Sequence, residues 1–256
     1  MRANQAALAQ LGAVVWLTPE MDRLFFDSPA ARRRFFDRLT FGHHPTHAAA
    51  LNRYTHHLQA RAKLLKENPD PDWLAIEEQQ AAYWGVQVAM TRLEFLESLN
   101  TALDGVALAL TGSAEKLLQG EDDPETAFVE HLTHNRDRDQ RFATTHFGPH
   151  RTDLAGILSL PEVEVPLTQA SMGQHKKALL RILIANAELL KQTTDQAPCL
   201  LLDEAAAHLD ETARKDLFAR LMPLGGQLWL TGTEKSQFKG LADAHVFHVS
   251  AGTITS

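Results

Sequence analysis

The last third of the chain alternates short apolar runs with amphipathic segments. Residues 199–202 (CLLL) are apolar throughout, which is typical of a strand buried on both faces of a mostly parallel sheet. Segment 170–192 opens with a turn and is then apolar nearly all round, which predicts a buried helix. A capped helix over 210–226, a strand over 227–234 and a terminal hairpin over 244–255 follow. This spacing of strands and helices predicts a parallel sheet with right-handed crossovers.

The start of the chain shows the same pattern once. Residues 13–20 (AVVWLTPE) predict a buried strand that leaves into a Thr-Pro turn. Ser28 is a favourable N-cap and Pro29 suits the first helical position, so a helix is predicted over 28–41. Its polar face is crowded with arginines, namely Arg32, Arg33, Arg34 and Arg38.

The middle of the chain predicts helices almost exclusively. Apolar residues recur at helical spacing over 46–67 and again over 73–103, and the Pro-rich segment NPDPD separates the two. Two long amphipathic helices joined by so short a turn are expected to pair antiparallel. Residues 112–124 are polar and predict a loop, and 125–141 predict a third helix.

These patterns predict an α/β fold that is interrupted by helices. We expect three parts: residues 1–40 in the α/β part, residues 41–145 as an inserted all-helical lobe, and residues 146–256 returning to the α/β part. The predicted fold class is therefore α/β with a mostly parallel sheet, plus an all-helical lobe that contains an antiparallel helix pair.

Composition narrows the class of protein. The chain has 256 residues, of which 44% are hydrophobic and 22% are charged, as in a soluble globular protein. A single cysteine, Cys199, excludes a disulfide framework and fits a reducing cytosol. No apolar run approaches the roughly 18 residues of a membrane span, and no signal peptide is recognisable, so we expect a cytoplasmic protein without membrane contact. The net charge of −7 argues against a broad nucleic-acid surface and leaves room for local basic patches.

The candidate chemistry begins with Asp203 and Glu204, which directly follow the apolar run 199–202. A buried strand that ends in two acids places both at the carboxyl edge of the sheet, where α/β folds bind ligands. In a nucleotide hydrolase the first acid holds Mg²⁺ and the second orients the attacking water. The alternative is a strand that ends in ordinary solvated acids.

Polar residues around the two acids strengthen the first interpretation. Ser171, Gly173 and Gln174 open the buried helix, where hydroxyl and amide donors and the positive end of the helix dipole favour an anion. A simple helix cap at Ser171 is the alternative. Asp210 opens the helix after the acids, and the next predicted strand ends in Thr231 and Thr233. Signature, acids, aspartate and polar switch, in this order, are typical of the second half of an ABC-type ATPase head.

Four segments together resemble the RecF family, the bacterial recombinational-repair ATPases related to SMC heads. They are the strand, Pro-Glu turn and Arg-rich helix over 14–39, the Gly-Pro-His-Arg motif within 147–154 (FGPHRTDL), the signature over 170–177 (ASMGQHKK), and 200–210 (LLLDEAAAHLD) as Walker B and D-loop. The resemblance covers essentially the whole chain. It implies part of an ABC-type ATPase head with the helices as a coiled-coil-like second lobe.

The resemblance also implies roles for single residues. Asp203 is expected to hold Mg²⁺ and Glu204 to be the catalytic acid. Ser171, Gly173 and Gln174 are expected to contact the nucleotide of a partner subunit. Further assignments are Asp210 to the D-loop, Thr231 or Thr233 to the switch, and Glu20 to a metal-facing turn that related ATPases fill with glutamine.

At the level of the whole protein, the resemblance implies an ATPase of DNA repair, recombination, replication and the SOS response. Such a protein uses ATP and Mg²⁺, forms an ATP-dependent homodimer and binds gapped or double-stranded DNA. It helps to load recombinase together with the RecO and RecR proteins.

One family feature is missing from the sequence. RecF-like proteins begin with a strand and a P-loop, G-x-x-x-x-G-K-[ST], yet no glycine of this chain begins that pattern and no glycine is followed by lysine. The sequence therefore predicts a RecF-like protein without its N-terminal third, through a truncated frame, a mis-assigned start, an engineered piece or a degenerate gene. The alternative to the ATPase is a non-enzymatic remnant that binds only DNA or protein partners.

Two groups of basic residues leave two interpretations open, and a third group does not. The cluster Arg32, Arg33 and Arg34 can contact phosphates or form a solvated face. His150 and Arg151 of the Gly-Pro-His-Arg motif can contact nucleotide or DNA, or anchor their loop. The histidines of 42–47 (GHHPTH) and the pair at 56–57 lack cysteine and fit no common zinc spacing, so we expect no metal site there.

Overall fold

The computed structural model describes residues 13–67, 70–241 and 244–255. Within these ranges the helices are α1 Pro29–His43, α2 His47–Lys66, α3 Pro71–Ala102, α4 Ser113–Gly120, α5 Pro124–His134, α6 Arg136–Phe142, α7 Met172–Thr194 and α8 Glu211–Leu221. The strands are β1 Val14–Leu17, β2 Val106–Thr111, β3 Asp153–Ser159, β4 Glu164–Pro166, β5 Cys199–Leu202, β6 Leu228–Leu230, β7 His248–Ser250 and β8 Thr253–Thr255. The chain is thus mixed α/β, as its sequence predicts.

A three-stranded parallel sheet in the order β1-β5-β6 confirms the prediction from the apolar run 199–202. Leu17 pairs with Leu202, and Leu202 with Leu230, so the three strands end at the same level. The inward positions Val15 and Leu200 belong to a large core that is continuous with α7. The caps predicted at Ser28, Ser171 and Asp210 are formed, because each side chain accepts a hydrogen bond from a backbone amide of the following turn.

The outer face of this sheet differs from the sequence prediction. Trp16, Leu201 and Trp229 form a row across the three strands, because Leu201 pairs with both tryptophans. Their exposed fractions are 37%, 41% and 54%. Arg38 lies 4.2 Å from the centre of the Trp16 ring. The prediction that β5 is buried on both faces is therefore wrong for the described residues. Only one face of the strand receives side chains from α7 and its neighbours.

Helices α2 and α3 form the predicted antiparallel pair. The Arg53 guanidinium lies 4.6 Å from the centre of the Trp84 ring, and His57 contacts Glu77 at 2.7 Å. Residues later in α2 therefore contact residues earlier in α3, which is the order expected of an antiparallel pair. A second hydrophobic core forms between this pair and α4 and α5, around Tyr54.

The long helix α3 contributes to both cores. Its middle, including Val86 and Ala89, belongs to the helical core, and Phe95 and Leu99 near its end belong to the core of the α/β part. The division of the chain at residues 40 and 145 stays a prediction, since one helix crosses between the cores.

Two elements of the middle region were missed. Residues 106–111 form β2, which pairs antiparallel with β3 in a second sheet of order β2-β3-β4, so the region is not all helical. The loop predicted over 112–124 is wrong, because Ser113–Gly120 is the helix α4. Ala114 and Leu117 of that helix are buried in the helical core, and Leu118 packs against it. The third predicted helix is divided at Asn135 into α5 and α6.

A buried ion pair joins the two parts of the chain. Arg92 of α3 donates two hydrogen bonds of 2.8 Å to the carboxylate of Asp37 in α1. His47 of α2 contacts the same carboxylate at 2.9 Å, and Arg92 donates a third bond to the Pro149 carbonyl at 2.6 Å. Burial alone would raise the pKa of Asp37, but the bonds from His47 and Arg92 outweigh burial and hold that pKa below its ordinary value.

Replacing Arg92 by methionine should destabilise the protein strongly. The variant R92M leaves the Asp37 carboxylate buried without its main partner, a change that costs about 3–5 kcal/mol in comparable sites. Urea unfolding of the wild type and the variant measures the difference. The control K215M removes an ion pair to Glu211 that is exposed on both sides, and it should change stability little. Equal stability of R92M and wild type would contradict the argument.

The row of Trp16, Leu201 and Trp229 should cause self-association. An exposed apolar patch beside an open strand edge favours association between chains. The variant W229T should lower the concentration-dependent mass measured by light scattering. The variant W73T removes a tryptophan that is 60% exposed on α3, and it should not lower that mass. A wild-type protein that stays monomeric at high concentration would rule out this role of the row.

Candidate functional site

The carboxyl ends of the parallel strands bring three polar residues together. Thr18 follows β1, Asp203 follows β5 and Thr231 follows β6. The backbone continues the pairing past the strands, since the Asp203 amide donates to the Leu17 carbonyl at 3.0 Å and the Thr231 amide donates to the Leu202 carbonyl at 3.2 Å. The three side chains therefore start from neighbouring points of one sheet edge, as the sequence predicts for Asp203.

Thr231 connects the two candidate acids. Its hydroxyl donates a hydrogen bond to Asp203 Oδ1. The oxygen of this hydroxyl accepts a hydrogen bond from the backbone amide of Glu204 at 3.2 Å. Thr233 lies further along and contacts the Gln237 amide at 3.5 Å. Of the two threonines that the sequence leaves open as the switch, Thr231 is therefore the one in contact with both acids.

The residues at this edge fit a magnesium ion. Asp203 is exposed, so its carboxylate is accessible to a ligand. Among the described residues the buried Thr18 hydroxyl has no hydrogen-bond partner. Carboxylate and hydroxyl oxygens are hard ligands, which Mg²⁺ prefers over nitrogen or sulfur.

The signature residues form the first turn of α7. The Ser171 amide donates to Gln174 Oε1 at 2.8 Å, and the Gln174 amide donates to Ser171 Oγ at 3.3 Å, which makes a capping box. Gly173 has open space where a side chain would be, and Met172 is exposed. The cap that we weighed as the alternative is thus present, and the turn itself faces solvent.

Two lysines after the signature connect α7 to the acidic loop. Lys176 Nζ donates to the Glu204 carbonyl at 2.7 Å, and Lys177 Nζ donates to Asp210 Oδ2 at 3.0 Å. The amide of Ala213 and, second, Lys177 lower the pKa of Asp210. Sequence reasoning assigned no role to either lysine, although both lie in the segment 170–177 that resembles the family signature.

The arginine cluster is used mainly inside the protein. Arg32 is buried and binds both oxygens of Asp153 at 2.7 Å. Arg33 donates to the Thr152 carbonyl at 2.6 Å, and burial is the main cause that lowers its pKa. Arg34 is exposed. The contacts of Arg32 and Arg33 favour an anchoring role and leave Arg34 as the accessible member of the cluster.

The Gly-Pro-His-Arg motif binds its own loop. His150 Nε2 donates to the Thr145 carbonyl at 2.9 Å, and its Nδ1 accepts from the Tyr54 hydroxyl at 2.7 Å. Arg151 Nε donates to the same carbonyl at 3.0 Å. One neutral tautomer of His150 satisfies both bonds, and burial lowers its pKa to about 4. These contacts favour the anchoring interpretation.

The remaining candidates are Glu20 and the histidines of 43–57. Glu20 is exposed in the first turn of the 3-10 helix Pro19–Phe26. His43 contacts Asn186 at 3.1 Å, and the side chains of His47 and His57 contact Asp37 and Glu77. Within the described ranges no three His, Cys, Asp or Glu side chains are grouped as metal ligands would be.

Comparison with known proteins identifies the family. The chain is 38% identical over 258 residues to the DNA replication and repair protein RecF of Rhizobium rhizogenes, with 94% of this chain and 67% of that protein covered. The chain belongs to the RecF family. RecF of Agrobacterium fabrum is 38% identical over 255 residues, with 95% of this chain and 67% of that protein covered. The chain thus spans about two thirds of the length of these relatives, and no family model matches it.

Solved structures show the same fold. A structure of the recombination mediator protein RecF with ATPγS has a TM-score of 0.78 at 23% identity, covering 98% of this chain and 70% of that one. A second RecF structure, with ATP, has a TM-score of 0.75 at 23% identity, covering 96% and 67%. In the part of this chain that is described, each helix is too short or too polar to cross a membrane.

The stability of the chain should fall below pH 6.5 because of His150. Its pKa is lowered from 6.5 to about 4. Between these two pH values the side chain is therefore protonated in the unfolded chain and neutral in the folded chain, which favours unfolding. This group alone removes about 3 kcal/mol of unfolding free energy by pH 4. Urea unfolding at pH 7 and pH 4.5 should show a smaller loss in H150Q than in the wild type. The exposed control H134Q should keep the wild-type loss; an equal loss in H150Q would contradict the assignment.

Proposed function

We propose that this chain carries the Walker B, signature, D-loop and switch portion of a RecF-like DNA repair and recombination ATPase, with ATP and Mg²⁺ as its ligands. The observation that supports this most directly is the contact of Thr231 with both Asp203 and Glu204 at the sheet edge. Family membership and the RecF structures with ATP and ATPγS support the choice of nucleotide.

The proposed roles follow from the position of each residue. Asp203, oriented by the Thr231 hydroxyl, holds Mg²⁺, which neutralises charge on the phosphates when it is bound. Glu204 directs its carboxylate at the attacking water and is the catalytic residue. Thr231 is the proposed switch, because its hydroxyl contacts the Asp203 carboxylate and the backbone amide of Glu204.

The signature is proposed to act across a homodimer. Ser171, Gly173 and Gln174 lie at the first turn of α7, which faces solvent and where the helix dipole favours phosphate oxygens. In this proposal they contact the nucleotide of a second copy, with Asp210 of the D-loop beside them.

The phosphate-binding loop is the part that these 256 residues do not supply. Their sequence contains no G-x-x-x-x-G-K-[ST], so the P-loop amides and lysine must come from elsewhere for hydrolysis. Each missing charge-assisted hydrogen bond costs about 1.5–3 kcal/mol. This observation favours a second candidate function for the chain by itself, a non-enzymatic remnant that binds only DNA or protein partners.

The cellular setting is proposed from the family. Gapped or double-stranded DNA is the proposed macromolecular ligand, and the RecO and RecR proteins are proposed partners, in keeping with the RecFOR pathway in which the RecF structures are placed. Exposed Arg34 and Arg151 are the candidate DNA contacts. A single free cysteine supports a cytoplasmic location.

The purified chain should hydrolyse no ATP above background. Mixed with full-length Agrobacterium fabrum RecF, it should form a complex only when a non-hydrolysable ATP analogue is present, as measured by sedimentation. The variant S171R should block the complex by filling the signature turn, and the control S98R, exposed on α3, should not.

Two outcomes would change the proposal. Hydrolysis by the chain alone that disappears in D203A would reveal a phosphate-binding element within these residues. A complex that forms equally without the analogue, or does not form at all, would remove the signature role and favour the non-enzymatic candidate.

A further inference from the structure

The backbone of Glu204 is held in an unusual conformation. Its φ is 53°, in the left-handed region that residues other than glycine rarely adopt. The strand β5 ends just before it, so this conformation turns the chain sharply at the sheet edge. Such a conformation persists only where surrounding groups fix it.

Two side chains from other elements fix this residue. The Glu204 amide donates to the Thr231 hydroxyl at 3.2 Å, and the Glu204 carbonyl accepts from Lys176 Nζ at 2.7 Å. Both backbone polar groups of the residue are therefore occupied. The Glu204 carbonyl also accepts the Ala207 amide at 3.1 Å within the turn, so Thr231 and Lys176 are the side chains from outside the turn that fix its path and the origin of the Glu204 side chain.

The ammonium group of Lys176 is buried. Only 4% of the residue is exposed, and Nζ also donates to Asp22 Oδ2 at 3.1 Å. The adjacent His175 binds the same segment, since its Nε2 accepts the Phe25 amide at 3.1 Å and its Nδ1 donates to the Asp22 carbonyl. Burying a charge is costly unless its partners are well placed, so an apolar residue would fill this space more cheaply if packing were the only need.

Lys176 also lies close to the signature. It is five residues after Ser171, within the same continuous helix α7, which corresponds to about 7 Å along the helix axis. A displacement of the first turn of α7 therefore reaches the Glu204 carbonyl through one side chain. Lys177 has no such connection, because it is exposed and binds Asp210.

We propose that Lys176 is a positioning residue: it fixes the turn that carries Glu204 and couples this turn to the signature, so that contact of Ser171 to Gln174 with a second copy's nucleotide orders the catalytic carboxylate. The proposal rests on the function proposed above for Glu204 and the signature. Lys176 touches neither nucleotide nor water in this scheme and acts through the backbone of Glu204.

Amide hydrogen exchange of the 256-residue chain tests whether Lys176 fixes the turn that carries Glu204. Peptides covering 203–208 should exchange about tenfold faster in K176M than in the wild type, because the Glu204 carbonyl loses the donor outside the turn and the bond that it accepts from the Ala207 amide is held less firmly. K176R should restore part of the protection, and K177M, which breaks only the exposed pair, should match the wild type. Unchanged exchange in K176M, or faster exchange spread over the whole chain, overturns the positioning role. If K176M does not fold, K176R against K177M gives the same comparison.

The coupling of this turn to the signature is tested in the mixture with full-length Agrobacterium fabrum RecF and a non-hydrolysable ATP analogue. Complex formation, followed by sedimentation, should slow exchange over 203–208 in the wild type and not in K176M, although both form the complex. Equal slowing in the two proteins overturns the coupling. Absence of the complex overturns the proposed function and the coupling with it, whereas exchange in the free chain still decides whether Lys176 fixes the turn.

Discussion

The ion pair between Asp37 and Arg92 is the interaction on which the arrangement of the chain depends. It joins α1 of the α/β part to α3 of the helical part, and the Pro149 carbonyl joins the same guanidinium. One buried guanidinium therefore connects α1, α3 and the segment at Pro149. Buried ion pairs are poor sources of net stability, but they tolerate few alternative geometries. Their value here is to specify one relative placement of two cores.

The candidate site needs little beyond strand register. Once β1, β5 and β6 pair in parallel and end at one level, Thr18, Asp203 and Thr231 follow as neighbours. The Glu204 turn is different, because it requires side chains from α7 and from the end of β6. The position of Asp203 is thus set by strand pairing, and the turn at Glu204 is set by side chains of other elements.

The sequence predicted what short-range physics determines. Helix caps at Ser28, Ser171 and Asp210, the parallel sheet and the helix pair all follow from residue type and periodicity, and all are present. Strand β2 and helix α4 were missed because each is stabilised by partners that are distant in sequence, such as Thr152, which donates to Glu115 of α4. The burial of Arg32 could not be predicted either, because its partner Asp153 is 121 residues away in the sequence. The contacts of Lys176 were missed for the same reason.

Helix α3 makes the two cores mechanically dependent. It runs without interruption over 32 residues, a length of about 48 Å, and it places side chains in both cores. Arg92, which binds Asp37, lies on this helix between the residues of the helical core and those of the sheet-side core. A small rotation imposed on the tip near Pro71 becomes a tilt of Phe95 and Leu99 against the sheet-side core. Force applied to the far end of the helical part is therefore felt within the part of the molecule that carries Asp203 and Glu204.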